Sequence, residues 1–311
     1  MKELSIEITN KCMNRCIFCS NSCNEKCNIF LDTEVIKKTI DEACSIGVRY
    51  LYISGGEPLL HKDIVEICKF SSNLKLKPII YTSGIYYNND SIPISLLSDI
   101  MPYISKLIFD IPSWNPLIYY NNTRNNVLSK VFRSINTAYE AGIPIEQNTI
   151  VTKLTLNSIL NINYNGLPYS YYHIDKINLL RLFSHGEATK HYEILNLNEE
   201  DIEKIKNLDN DIFRKGIPLN EKKKCVAGYD KAVINYNGYG FPCDTFKNRF
   251  NIHDENYNII NPMNIKNYSL KECIEGDYFK IIRKRVSEYN KYNKKESCYS
   301  QRNILNIKDN I

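Results

Sequence analysis

The sequence predicts an α/β fold: a parallel sheet with helices outside it, made of six β/α units, followed by a small β-hairpin plus helix near the C-terminus. Three observations predict it. Short runs rich in β-branched and aromatic residues alternate with amphipathic helical stretches through the first two-thirds of the 311 residues, as βα units do. The glycine-bearing and cysteine-bearing turns follow the strand-like runs, the end at which such folds gather function. Late in the chain, two β-rich runs meet at Asn237-Gly238, a strong hairpin signal.

Taken in order, Leu4–Thr9 alternates apolar and polar residues and reads as the first strand. An amphipathic stretch, roughly Thr33 to Ile46, is the first helix, and Val48–Ser54 is the second strand. Pro78–Thr82 is a third strand closed by Ser83-Gly84, and Lys106–Ile111 a fourth. A helix around Asn126 to Ala141 ends at Gly142, and Ile145–Thr152 is a fifth strand with partial alternation. Lys176–Leu182 is the sixth. Six such units fall short of a closed eight-stranded barrel. From about Thr189 to Lys224 the chain is charged and helical, with few strand signals.

The first strand runs straight into Cys12, Cys16 and Cys19, spaced C-x3-C-x2-C. Three thiolates within eight residues can hold an iron–sulfur cluster, and a cubane so held keeps one iron open. A zinc site is the other reading, although zinc usually wants a fourth Cys or His at matched spacing. Cys23 and Cys27 extend the pattern and leave a different ligand set conceivable. The second strand stops at Gly55-Gly56-Glu57-Pro58. Paired glycines cost about 0.5–1 kcal/mol each in an element interior, and their use is close approach of the backbone to a ligand.

The triplet with an aromatic before its last Cys, then Gly-Gly-Glu-Pro after the next strand, resembles the radical S-adenosylmethionine (SAM) superfamily. The resemblance implies a partial (β/α)6 TIM-type barrel, which agrees with the strand count. It implies a 4Fe–4S cluster on Cys12, Cys16 and Cys19 whose open iron binds SAM, with Gly55, Gly56 and Glu57 holding the methionyl amine. One electron from the reduced cluster then cleaves the sulfonium, and the 5′-deoxyadenosyl radical abstracts hydrogen from a substrate. It further implies SAM contacts from the backbone of Phe18, from Ser83 in a Thr-Ser-Gly turn, from Asp110 or Ser113, from Asn148, and from Leu180. For Asp110 a turn or helix-cap carboxylate is the plainer alternative. Where relatives carry a Gly-Arg-Ala-like turn, this chain has Gly186-Glu187-Ala188. Cys23, Cys27 or Cys273 are the candidate hydrogen donors if the reaction needs one. The electron donor is expected to be a flavodoxin or a ferredoxin-type protein.

The C-terminal segment places Cys225 and Cys243 at the base of the Asn-Gly hairpin. This resembles the opening half of a SPASM domain, without its dense later cysteines, and so its truncated form, called twitch. The resemblance implies one auxiliary 4Fe–4S cluster on Cys225, Cys243 and Cys298, with Cys273 as the uncertain fourth ligand. Core thiols without a cluster are the plainer alternative. The expected division is a radical SAM core over 1–195, a last barrel helix and linker over 196–224, and the auxiliary-cluster domain over 225–311. A basic helix is expected at about Ser269 to Tyr289.

Composition narrows the class of function. A net charge of +5 does not call for nucleic acid, and the basic run Lys280–Arg285 has apolar residues at helical spacing. No run of about 18 apolar residues exists, so no membrane span is expected. The first strand begins at once, so no signal peptide and no preceding precursor-recognition domain is expected. Eleven cysteines then point to a reducing, cytoplasmic compartment and metal ligation. The resemblance implies hydrogen abstraction from a ribosomally made peptide or protein, giving a crosslink, an epimer or an oxidised side chain. The alternatives are a small-molecule dehydrogenase or cyclase, and a non-catalytic iron–sulfur scaffold. The Gly-Arg-Arg-like tail of the molybdopterin branch is missing, which argues against that member.

Overall fold

A computed structural model describes residues 1–162, 167–208, 211–215 and 224–292. Its strands are β1 (Glu3–Glu7), β2 (Tyr50–Ser54), β3 (Ile79–Thr82), β4 (Ile85–Tyr86), β5 (Asp90–Ser91), β6 (Lys106–Asp110), β7 (Ile145–Val151), β8 (Lys176–Arg181), β9 (Phe213–Lys215), β10 (Lys231–Ile234), β11 (Gly240–Phe241), β12 (Ile252–His253) and β13 (Ile259–Ile260). Its helices are α1 (Thr33–Ser45), α2 (Ile64–Asn73), α3 (Ile94–Ile100), α4 (Pro116–Thr123), α5 (Leu128–Glu140), α6 (Lys153–Leu160), α7 (Glu187–Leu195), α8 (Glu199–Lys206), α9 (Leu270–Glu275) and α10 (Asp277–Tyr292). The main sheet runs β11-β10-β1-β2-β3-β6-β7-β8-β9, while β4–β5 and β12–β13 are separate small hairpins. Every pairing in the main sheet is parallel except β10 with β11.

The six strands read from the sequence are β1, β2, β3, β6, β7 and β8. Their alternation divides the sheet into two faces. Leu4 and Ile6 of β1 and Leu51 and Ile53 of β2 are fully buried with Ile36, Ile40 and Ala43 of α1 and Ile67 of α2. The alternate residues, among them Glu7, Tyr52, Tyr81, Asp110, Asn148 and Asn178, face the concave inner side. Helix starts are capped as their sequences suggest: Asp32 accepts from the amides of Glu34 and Val35, and Asn115, ahead of Pro116, from those of Leu117 and Ile118.

Three features depart from the sequence reading. The stretch expected as helix and linker also holds β9, which pairs with β8; Phe-Arg-Lys is too short and polar to show a period. The C-terminal hairpin joins the main sheet, with β10 parallel to β1 from Glu3↔Lys231 to Ile6↔Ile234. The basic helix is two helices broken at Gly276, whose backbone is extended and where a Cβ would stand 2.8 Å from the Met263 sulfur. Among the described residues no helix is long and apolar enough to cross a membrane.

Candidate active site

The loop carrying Cys12, Cys16 and Cys19 leaves the C-terminal end of β1 and is pinned from several sides. The amides of Arg15 and Ile17 donate to the carbonyls of Thr123 and Asn122 at the end of α4, both at 2.9 Å. The Cys12 amide donates to Asn24 (3.2 Å), and the amides of Glu187 and Ala188 at the start of α7 donate to the Cys19 carbonyl (2.9 and 3.4 Å). Gly186 permits that last approach: at φ +56 its missing Cβ would lie 2.6 Å from the Ser20 backbone. The Gly186-Glu187-Ala188 turn thus clamps the cysteine loop.

Burial pushes the Cys12 and Cys16 thiols up, and the nearby thiol groups add to it. Cys19 goes the other way, down to about 6, because Cys23 donates to its sulfur; the Cys23 amide lies 3.4 Å from the same atom. Cys23 is itself buried, and its thiol is held well above the usual range, first by that bond. Cys27 lies farther out, its sulfur 3.9 Å from the Ser22 carbonyl. Three thiols crowded enough to repel one another as thiolates are the donor set of an iron–sulfur cluster. Among the described residues no group of three His, Cys, Asp or Glu side chains converges as the ligands of one ion would. A cluster asks for less convergence, since each thiolate meets its own iron.

The Gly-Gly-Glu-Pro turn is zipped onto the segment that leads into Cys12. The amides of Gly56 and Glu57 donate to the carbonyls of Thr9 and Lys11, both at 2.7 Å. A Cβ on Gly55, at φ +139, would stand 2.2 Å from the Thr9 oxygen, and one on Gly56 2.2 Å from the Lys11 oxygen. The backbone these glycines approach is therefore the chain's own. Glu57 is wholly buried. Its Oε2 accepts from the Ser83 amide and hydroxyl (both 2.7 Å) and from Thr82 (3.0 Å), and its Oε1 from Thr82 and the Leu59 amide. Burial lifts the carboxyl to about 7, against the pull of these bonds. Glu57 and Ser83 so tie the ends of β2 and β3 together.

On the inner face, Asp110 at the end of β6 is exposed to solvent on one side, with protein around the other. Its carboxyl rises to about 7, first through desolvation and then through Glu57 and Cys19, while an Asn148 hydrogen bond opposes the rise. Asn148 accepts from Asn178 (3.1 Å), which also donates to Glu146 (3.1 Å). Lys106 (2.6 Å) and Arg214 (3.2 Å) close the network on Glu146. Leu180 is half-buried on β8, two residues along from Asn178 on the same face. The Phe18 ring packs with Ile17, Leu182, Ala188 and Leu195. Ser113 is buried and turned away, its hydroxyl donating to Ser158 (3.3 Å) and accepting from the Asn115 amide (3.1 Å).

Other inner-face residues carry no sequence signal. Tyr52 and Tyr81 stack at 5.7 Å, Lys231 pairs with Asp244 at 2.5 Å, and Lys247 pairs with Glu7 at 2.6 Å. Each is an ordinary residue in a polar loop or a strand until the sheet assembles around it.

Cys225 and Cys243 flank the β10–β11 hairpin, and the Gly228 amide donates to the Pro242 carbonyl (2.9 Å), bringing the two arms together. Asn290 of α10 bonds both backbone groups of Cys225, and the Cys243 sulfur lies 2.9 Å from the Thr245 hydroxyl. Cys273 is buried in α9, where its Cβ lies 3.5 Å from the position of a Cβ on Gly240. The charges acting on its thiol are Glu272, Glu42 and Lys38. Cys298 lies outside the described residues.

Residues 6–162 match the family model described as the Radical SAM superfamily. Among curated proteins the chain is 24% identical over 263 residues to a probable GTP 3′,8-cyclase of Methanococcus maripaludis, covering 78% of this chain and 85% of that protein. It is 39% identical over 83 residues to a PqqA peptide cyclase of Methylobacterium nodulans, which is 26% of this chain and 22% of that one. Among solved structures, SuiB of Streptococcus suis bound to S-adenosylmethionine superposes with a TM-score of 0.68 at 19% identity, over 91% of this chain and 68% of that one. That likeness is one of fold.

Proposed function

The chain belongs to the radical SAM superfamily and is an enzyme of that kind, and from that premise we propose that it abstracts hydrogen from a ribosomally made peptide, leaving a crosslink, an epimer or an oxidised side chain. The observation that carries this reading is the hairpin: Cys225 and Cys243 flank β10–β11, whose arms are joined through Gly228 and Pro242. This resembles the SPASM and twitch domains, and radical SAM proteins with those domains mostly modify peptides.

In this reading Cys12, Cys16 and Cys19 hold the cluster. When bound, cluster and SAM together supply a one-electron cleavage that yields the hydrogen-abstracting 5′-deoxyadenosyl group. The Gly55–Glu57 turn, locked against Thr9 and Lys11, presents a fixed edge to the methionyl amine. Asp110, beside Asn148 at the end of β6, offers a polar group to the ribose of SAM. The Phe18 backbone and Leu180 border the adenine. Cys225 and Cys243, with Cys298, would hold an auxiliary cluster, which would supply an electron acceptor for a net oxidation. A flavodoxin or ferredoxin-type protein supplies the first electron.

Mass spectrometry of a peptide encoded beside the gene and co-expressed with this chain tests the substrate. Loss of two hydrogens marks an oxidation or crosslink, and unchanged mass with deuterium uptake marks epimerisation. An unmodified peptide sinks the reading. Roughly eight irons per chain after anaerobic reconstitution support the second cluster, and roughly four remove it. A second reading, cyclisation of a small molecule, is favoured by the GTP 3′,8-cyclase relative, which aligns over 78% of the chain. Consumption of GTP with release of 5′-deoxyadenosine, in the presence of SAM and dithionite, would establish it.

A further inference from the structure

Lys247 lies in the turn after β11, yet its side chain is only 5% exposed, and the Glu7 side chain it pairs with is 4% exposed. The ammonium lies 2.6 Å from Glu7 Oε1 and also donates to the Ser20 hydroxyl at 3.2 Å. Asn21 donates to the same Glu7 oxygen at 2.8 Å, while Glu7 Oε2 is buried without a partner. One enclosed cation from the C-terminal segment therefore bonds the last residue of β1 and the residue next to Cys19. Its charge acts on the Cys19 sulfur.

Packing does not account for this pair. Enclosing two ions costs several kcal/mol each, and apolar residues of similar volume often do as well or better. Position beside a redox centre does account for it. A thiolate-bound cluster gains one negative charge on reduction, and its potential follows net charge, hydrogen bonds to sulfur and exposure. Buried charges are weakly screened. A cation there favours the reduced form, and a carboxylate beside it offsets the effect.

We propose that Lys247 and Glu7 are a tuning pair: together they set the reduction potential of the cluster on Cys12, Cys16 and Cys19, and they make that potential depend on the C-terminal segment. The inference rests on the cluster reading above. Lys247 is a positioning residue that acts through Ser20 and through its charge; it touches no reacting atom.

The test is an EPR-monitored redox titration of the full chain, reconstituted anaerobically with iron and sulfide, following the signal that changes when SAM is added. In Glu7→Gln the cation loses its bonded carboxylate and keeps only the through-space influence of Asp244, and the midpoint rises by the equivalent of about a tenfold change in the redox equilibrium, about 59 mV for one electron. Adding Lys247→Met to Glu7→Gln returns it toward the wild-type value. Adding Lys247→Arg instead keeps it raised, and this variant carries the test if Glu7→Gln alone loads poorly. A Glu7→Gln or Glu7→Gln/Lys247→Arg protein that loads iron as the wild type does, with an unchanged midpoint, overturns the pair's role. A wild-type chain that takes up no iron overturns the cluster reading itself, so the two failures are distinguishable.

Discussion

The N-terminal cysteine loop and the C-terminal hairpin both carry thiols, and hold them by different means. In the loop three cysteines fall within eight residues, and backbone bonds from α4, α7 and the Gly-Gly-Glu-Pro turn fix the path between them. In the hairpin the two cysteines flank a pair of strands, Cys225 anchored by α10 and Cys243 beside Thr245. The first arrangement is local and rigid, suited to a centre whose geometry must not vary. The second is held by tertiary contacts, so it can differ in ligand number while the first stays constant.

The sharpest break between the two regions is expected from single cysteine losses. Cys16→Ala should remove the N-terminal cluster and abolish 5′-deoxyadenosine formation. Cys243→Ala should leave SAM cleavage measurable and block only a net oxidation; iron content and 5′-deoxyadenosine assays check both. Loss of SAM cleavage in Cys243→Ala would mean that the regions are not separable.

Next in size is Gly56→Ala. Its Cβ would meet the Lys11 carbonyl at 2.2 Å, a backbone atom with no room to yield. A cost of about 4 kcal/mol or more is expected, seen as a large fall in the denaturation midpoint. Gly47, with nothing within 4 Å of its Cβ position but φ at +80, should lose only about 1 kcal/mol on the same change.

Glu57 gives a pH signature. Its carboxyl titrates at about 7 in the folded chain against an ordinary 4.5, so the folded state keeps a proton that the unfolded state releases between those values. Stability from this group is whole below about 4.5 and is lost as pH rises through about 7, by up to roughly 3 kcal/mol. Glu57→Gln should flatten that slope in denaturation curves at pH 5 and 7.5, whatever it does to absolute stability. An unchanged slope would assign the titration elsewhere.

The smallest effect is expected at Cys273. It packs against Gly240 and faces α1, so Cys273→Ala should cost about 1 kcal/mol and leave iron content as it was. A loss of iron would instead support Cys273 as the fourth ligand of an auxiliary cluster.

What the sequence made legible follows the same division. The six strands, the C-x3-C-x2-C loop and the Gly-Gly-Glu-Pro turn are local patterns, and each falls where its period or spacing placed it. Lys231, Lys247 and Asp244 could not be read, because a charged residue at a strand end or in a polar turn looks solvated until distant parts of the chain enclose it. The place of β10 beside β1 is likewise a matter of register across more than two hundred residues, on which no window of sequence bears. The glycines were legible as close-approach positions, but not what they approach: that required Thr9 and Lys11 to be seen behind them.

The pairing of β1 has a consequence for how the molecule is made. One edge of β1 is covered early by β2, while the other waits for β10, some 225 residues later. At about 5–20 residues per second of synthesis that is a delay of tens of seconds, during which an apolar strand shows an unpaired edge, a template for aggregation. The same interval leaves the cysteine loop open on the side that Lys247 later closes. Chains cut short ahead of Lys231 should carry that bare edge permanently and accumulate as aggregates even with the cysteine loop and its turn intact.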